Sequence, residues 1–152
     1  MKIYLLLAIV IGVAATKDFY LDDLKLQDPG ADGKNKFYDD KFRSGYVKVH
    51  WGDELYFLLF DSRSNPSVDP LLIWINGGPG CSSMIGAFTE NGPYNLKYNK
   101  TYDPKFKFEK NEYSWNQKAN VLYIDQPVGT GFSFVKKFFD RRTKEGEIAK
   151  DF

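Results

Sequence analysis

Residues 71–83 read Leu-Leu-Ile-Trp-Ile-Asn-Gly-Gly-Pro-Gly-Cys-Ser-Ser (LLIWINGGPGCSS). The apolar run Leu71 to Ile75 predicts a strand covered on both faces. It stops at the turn Gly77-Gly78-Pro79-Gly80, which presents bare backbone N–H groups at a sheet end. Gly77 and Gly78 have no Cβ and tolerate positive φ, so the turn can approach a ligand closely. Taken alone, the four residues read more simply as a tight structural turn. Beyond it, Ser82 to Phe88 predicts a short helix, with Ser82 or Ser83 as N-cap and Gly92-Pro93 as its stop.

Outward from this stretch the pattern is that of an α/β protein. Upstream, Gly45 to His50 alternates like a strand and Leu55 to Phe60 is an apolar strand. The Gly52-Asp53 turn between them makes the pair a hairpin. Asn65-Pro66 and Asp69-Pro70 punctuate a loop. Downstream, Asn95 to Tyr113 mixes Lys, Tyr, Phe and Asn without clear period and reads as a long loop with short strands. Asn120 to Asp125 is a second buried strand, ended by Gln126-Pro127. A polar helix starts from Thr143, with Glu145 and Glu147 in the first turn, where the helix dipole favours them. Thr16 to Asp40 is polar, carries Pro29-Gly30 and Asp32-Gly33 turns, and reads as an irregular arm. No internal repeat or low-complexity tract interrupts the chain.

Composition narrows the function. The 152 residues suit one modest domain, and 43% hydrophobic with 17% aromatic content argues for a folded core. The formal net charge is +1, which leaves no electrostatic footprint for nucleic acid or an anionic membrane. Met1 to Ala15 reads as a secretory signal peptide: Lys2 is the basic n-region, Ile3 to Val13 the apolar h-region, and Val13-Ala14-Ala15 the small-residue cleavage site. Removal of Lys2 with that leader brings the balance to zero. The h-region is too short to span a bilayer and no second apolar span follows. The alternative for this stretch is a buried strand or an uncleaved anchor.

One His (His50) and one Cys (Cys81) do not make a metal cluster. Gly129-Thr130-Gly131 invites a dinucleotide reading, but Phe134 occupies the third glycine position and Pro127 interrupts the strand-to-helix geometry. No cofactor and no metal are expected. Cys81 on its own reads as a small buried hydrophobe. Asn99-Lys100-Thr101 is an N-glycosylation sequon in a polar stretch, whereas Asn65-Pro66-Ser67 is spoiled by its proline.

The 71–83 stretch closely resembles the signature of the serine carboxypeptidases, secreted or vacuolar members of the α/β-hydrolase superfamily. Further blocks follow the family's order. Phe88-Thr89-Glu90-Asn91-Gly92-Pro93 resembles the segment with a substrate-binding Glu. Asn111 to Ser133 (NEYSWNQKANVLYIDQPVGTGFS) resembles the block of the strand after the oxyanion loop. Ser44 to Asp61 resembles the opening hairpin, and Glu145 to Phe152 the start of the following helix.

The resemblance implies specific roles. Acyl transfer builds negative charge on a carbonyl oxygen, and one fixed N–H donor there is worth about 2.7–4 kcal/mol. The family match makes Gly78 the first such donor; the second follows the nucleophile. A carboxypeptidase also recognises the free carboxylate of a peptide substrate. The resemblance assigns this to Asn76, the Gly77 N–H and Glu90, with Trp74 shaping the pocket. An amide and a backbone N–H can both donate to a carboxylate. A Glu in that place makes sense if a proton is shared between carboxyl groups, an arrangement suited to an acidic compartment such as a lysosome or vacuole. Without the family, Glu90 reads as an exposed helix-end charge and Trp74 as a core aromatic. The resemblance also implies that Cys81 pairs with a distant Cys.

The catalytic Ser, Asp and His of the family have no match here. Gly80-Cys81-Ser82-Ser83-Met84 fails G-x-S-x-G at its last position, and His50 precedes the turn, out of order for the triad. The expectation is the N-terminal part of an α/β-hydrolase fold, with 1–15 as leader and 16–152 as an incomplete carboxypeptidase domain cut before the nucleophile elbow. Three functions fit this expectation. The first is a secreted or lysosomal serine carboxypeptidase acting on peptides, inactive as this segment alone. The second is a non-catalytic relative that binds peptide C-termini. The third is an acyltransferase relative on the same fold.

Overall fold

The computed structural model describes residues 40–98, 100–101, 106–137 and 141–152. The predicted leader, the arm before Asp40 and the sequon residue Asn99 lie outside the described residues.

Two antiparallel strands, β1 (Phe42–Lys48) and β2 (Glu54–Phe60), open the fold as the predicted hairpin. They are joined by a 3-10 turn at His50–Gly52, and their register runs from Phe42 opposite Phe60 to Lys48 opposite Glu54. Next come β3 (Leu71–Trp74), β4 (Tyr94–Tyr98), β5 (Phe106–Lys110) and β6 (Asn120–Ile124). Helix α1 (Glu145–Asp151) carries Glu145 and Glu147 in its first turn, as the sequence predicts.

The main sheet has the order β1-β2-β6-β3. β6 is antiparallel to β2, with Phe57 opposite Ile124, and parallel to β3, with Trp74 opposite Tyr123. The parallel pair and its crossover put the ends of β3 and β6 on one side of the sheet. That side is where open α/β sheets bind their ligands. The predicted loop of residues 95–113 is more regular than its composition suggests: β4 and β5 form a separate antiparallel ribbon.

One sheet face is packed. Leu58, Phe60, Val121 and Tyr123 form the core with Met84, Ala87 and Ala119, and Phe42, Tyr56, Leu72, Trp74 and Phe88 lean against it. Val121 and Tyr123 are fully buried while their neighbours on β6 are only half-buried. β3 departs from the expectation of a strand covered on both faces. Leu71 is 51% exposed and Ile73 37%, because β3 is an edge strand and no described residue covers that face. The continuous apolar run hides a period-2 strand in which the outward positions are also apolar. Among the described residues no helix is long and apolar enough to cross a membrane.

A buried polar cluster ties the loops together. Arg63 donates to both oxygens of Asp40 (2.7 and 2.8 Å) and to Ser114 Oγ and the Asn111 carbonyl (both 3.0 Å). Asn116 Nδ2 also donates to Asp40, at 2.9 Å, as does the Tyr94 hydroxyl. Burial alone raises a carboxyl's pKa, but these hydrogen bonds and the Arg63 charge outweigh it and hold Asp40 below its ordinary value. A second cluster fastens the C-terminal helix: Arg142 donates to Asp151 at 2.6 Å and pairs with buried Asp53 at 3.3 Å.

Candidate functional site

The residues singled out in the sequence converge at the carboxyl end of β3. Trp74 is its last residue, and the chain leaves through Ile75 and Asn76 into the glycine turn. Gly77 to Gly80 are all exposed. Among the described residues no group engages the N–H of Gly77 or Gly78, while Cys81 N–H closes the turn on the Gly77 carbonyl at 3.3 Å. Only part of the glycine argument holds. Gly78 has φ +141°, and a Cβ there would lie 3.1 Å from Gly80 N. Gly77 has no positive φ and its Cβ direction is open space, so its backbone does not demand glycine.

The segment after the turn is helical, but not the predicted short α-helix from Ser82 to Phe88. Gly86–Glu90 is wound as a π-helix, closed by Asn91 N–H on the Gly86 carbonyl at 3.1 Å. Ser82 does cap its approach, its Oγ accepting from Met84 N–H at 3.2 Å. Gly92 lets the chain pass close against the end of this segment, since a Cβ there would sit 1.9 Å from the Ala87 carbonyl oxygen. Wide turns of this kind occur frequently at functional sites. Here the winding brings Glu90 toward the end of β3.

Asn76 is the centre of the site. Its Oδ1 accepts from Trp74 Nε1 at 2.8 Å and from Gly86 N–H at 3.2 Å. Two donors on one oxygen fix the amide orientation and turn Nδ2 outward as the donor face. Nδ2 reaches Glu90 Oε1 at 3.4 Å. Trp74 stands perpendicular to Trp115, with ring centroids 5.2 Å apart, which braces the indole that holds the amide. Trp74 thus serves as a donor as well as a wall. Gly86 is the residue that sequence reasoning missed here: a Cβ would lie 2.2 Å from Trp74 Nε1 and 2.9 Å from Asn76 Oδ1. Below Glu90, Tyr123 donates to buried Asn91 at 3.0 Å. Burial and the nearby Glu90 charge push the Tyr123 hydroxyl above its ordinary value, so it stays a donor.

Asp125, at the end of β6, was also missed. It is fully buried, and its oxygens accept from Ser82 Oγ (2.8 Å), Ser83 N–H (2.7 Å) and Phe132 N–H (2.9 Å). Ser83 Oγ donates to the Ile124 carbonyl and accepts from Asn76 N–H at 3.1 Å. The only sequence signal was a lone acid closing an apolar strand.

Among the described residues no Ser-His-Asp triad is assembled. The hydroxyls of Ser82, Ser83 and Ser133 donate to Asp125 Oδ1, the Ile124 carbonyl and the Asp125 carbonyl respectively. His50 lies in the β1–β2 turn, where it lines a shallow hollow with Lys48, Lys150 and Asp151. Cys81 is exposed, against the reading of a small buried hydrophobe. It follows the exposed turn directly, so the fold does not carry its side chain into the core.

A mixed sheet with a parallel pair, and a glycine turn with open N–H groups at its carboxyl end, is a hydrolase-type scaffold. A family model for serine carboxypeptidases matches residues 29–152. A serine carboxypeptidase of Dictyostelium discoideum is 44% identical over 110 residues, covering 71% of this chain and 25% of the relative. A pheromone-processing carboxypeptidase of Phytophthora infestans is 41% identical over 133 residues, 86% of this chain and 21% of its own length. The crystal structure of a prohormone-processing carboxypeptidase from Saccharomyces cerevisiae superposes with a TM-score of 0.53 at 39% identity, covering 72% of this chain and 23% of that one. The chain belongs to the serine carboxypeptidase family, and its partial sheet fits the N-terminal portion of the α/β-hydrolase fold. It spans about a quarter of the length of the curated relatives it matches.

Proposed function

We propose that this chain is the part of a serine-type carboxypeptidase that recognises a substrate's free C-terminus and supplies half of the oxyanion hole. The whole enzyme releases C-terminal amino acids from peptides through an acyl-enzyme. The observation that carries this reading is the Trp74–Asn76–Glu90 chain of hydrogen bonds beside the open Gly77 and Gly78 N–H groups. Asn76 Nδ2 and Gly77 N–H donate to the substrate carboxylate, Glu90 faces it, and Gly78 N–H meets the developing oxyanion. The nucleophile, the general base and the second oxyanion donor come from sequence outside this segment. The protein enters the secretory pathway through residues 1–15, carries glycan on Asn99, and works outside the cell or in a lysosome or vacuole. Cys81, exposed beside the turn, pairs with a cysteine outside the 152 residues.

The test is release of C-terminal amino acids from an N-blocked dipeptide between pH 4 and 7 by the protein from its natural source, with a serine-reactive phosphonofluoridate as probe. Turnover abolished by the probe is expected, with the label on a serine outside residues 1–152. Label on Ser82, Ser83 or Ser133 would overturn the assignment.

A further inference from the structure

We infer, on the carboxypeptidase reading, that Asp125 is a positioning residue for the oxyanion turn, acting through Ser82 and Ser83.

The turn spans Gly77 to Gly80, and both its ends are fastened to the end of β6. On the incoming side, Asn76 N–H donates to Ser83 Oγ at 3.1 Å, and that hydroxyl donates in turn to the Ile124 carbonyl. On the outgoing side, Asp125 Oδ1 takes Ser82 Oγ–H at 2.8 Å and Ser83 N–H at 2.7 Å. Asp125 itself is held. Its N–H donates to the Tyr56 carbonyl at 3.0 Å, its carbonyl accepts from Ser133 Oγ, and Ser133 Oγ accepts from Tyr56 N–H at 2.7 Å. Its second carboxylate oxygen takes Phe132 N–H at 2.9 Å. The neighbouring chain is shaped to the carboxylate: a Cβ on Gly131 would lie 2.1 Å from Asp125 Oδ2 and 2.7 Å from Ser82 Oγ.

The turn therefore has little internal bonding of its own and takes its position from the end of a central strand, through the Ile124 carbonyl and the Asp125 carboxylate just past it. Donors aimed at a developing oxyanion act only if they are held before the charge appears. A displacement of about 1 Å in such a group can cost about a hundredfold in rate. Asp125 touches no reacting atom; it fixes where the Gly78 N–H points. Asn76 keeps separate anchors in Trp74 and Gly86, so loosening the outgoing side of the turn affects the oxyanion donor more than carboxylate recognition.

The test uses Ser82→Ala in the complete enzyme, because Asp125→Asn puts an NH2 group against one of the three donors and risks unfolding. Two readouts are taken. The first is kcat and KM on a blocked dipeptide and on an ester lacking a free carboxylate. The expected result is a fall in kcat of about tenfold on both substrates, the scale of one lost hydrogen bond to a charged group, with KM within about twofold. The second is amide hydrogen exchange. The hydrogen-bonded amides that fasten the turn, those of Asn76, Cys81 and Ser83, should exchange at least about tenfold faster in the variant, with β2 and β6 unchanged. Unchanged exchange in the turn overturns the inference, as does a loss confined to the peptide substrate or to KM. If the parent enzyme turns over neither substrate, the carboxypeptidase reading fails, and the exchange measurement still decides the role of Asp125.

Discussion

Trp74 Nε1 donates to Asn76 Oδ1 at 2.8 Å, so the last residue of β3 sets the orientation of an amide two positions further on. Successive residues of an extended chain alternate faces, and positions i and i+2 share one. The amide oxygen is thereby occupied from within the protein, and the nitrogen, which reaches Glu90 Oε1 at 3.4 Å, keeps a second N–H for whatever binds beside the turn.

The first expectation concerns that nitrogen. Asn76→Ala and Glu90→Ala should weaken peptide hydrolysis by the complete enzyme more than hydrolysis of an ester lacking a free carboxylate. Loss of one hydrogen bond to a charged group costs roughly 1.5–3 kcal/mol, about tenfold to a hundredfold in kcat/KM. Equal losses on both substrates would remove these residues from carboxylate recognition.

Gly86→Ala should act on the same amide without touching substrate. The added methyl lies 2.2 Å from Trp74 Nε1, so the indole or the wide helical turn has to shift. Overpacking of this kind costs about 1–3 kcal/mol. Denaturant titration should show that loss together with a raised KM for peptides. A variant with wild-type stability and KM would mean that the indole relaxes freely.

Stability should fall steeply in acid through Asp40. Its folded pKa is depressed, so the unfolded chain binds the proton first and stability rises with pH across that interval. The Asp40 contribution is complete above about pH 4 and is lost as pH falls through the lower folded value. Asp40→Asn leaves the Arg63 charge without its buried partner and should cost about 3–5 kcal/mol at neutral pH. Urea titrations from pH 3 to 7 should show the gap between variant and parent narrowing below about pH 4. A gap constant with pH would refute the assignment.

The 152-residue polypeptide expressed alone should release no amino acid from blocked dipeptides and should self-associate. On the proposed reading Gly78 supplies only half an oxyanion hole, and the edge strand β3 exposes Leu71 and Ile73, a setting for edge-to-edge association. Light scattering and the dipeptide assay check both parts. A monodisperse, active product would contradict them.

Protein recovered from the secretory pathway should begin at Thr16, by the leader pattern of Met1 to Ala15. N-terminal sequencing decides; a start at Met1 on soluble exported material would remove the signal reading.

The strands of the main sheet were legible because Leu55–Phe60, Leu71–Ile75 and Asn120–Asp125 are apolar runs bounded by Gly, Pro and Asp. Apolar content alone did not tell a covered face from an open one, so β3 read as buried on both sides. The β4–β5 ribbon was obscured by Lys and Asn at positions that suit an exposed ribbon. Asn76 and Glu90 were named from the family motif, and the structure brings them within 3.4 Å. Asp125 and Gly86 stayed invisible because their roles are long-range. Asp125 meets Ser82 and Ser83 more than forty positions away in sequence, and Gly86 is needed for the space that Trp74 and Asn76 occupy.

The place of β6 between β2 and β3 has a consequence for how the chain is made on the ribosome. Leu71 finds its strand partner only at Asn120, so β3 leaves the exit tunnel roughly 50 residues before its neighbour. At bacterial to eukaryotic elongation speeds that interval is about 3–10 s. Only the local β1–β2 and β4–β5 pairings can close meanwhile, and the glycine turn has no anchor on β6 until residues 124 and 125 have been added. During this window an apolar strand waits without a mate, the condition under which transiently exposed surface makes a nascent chain prone to association.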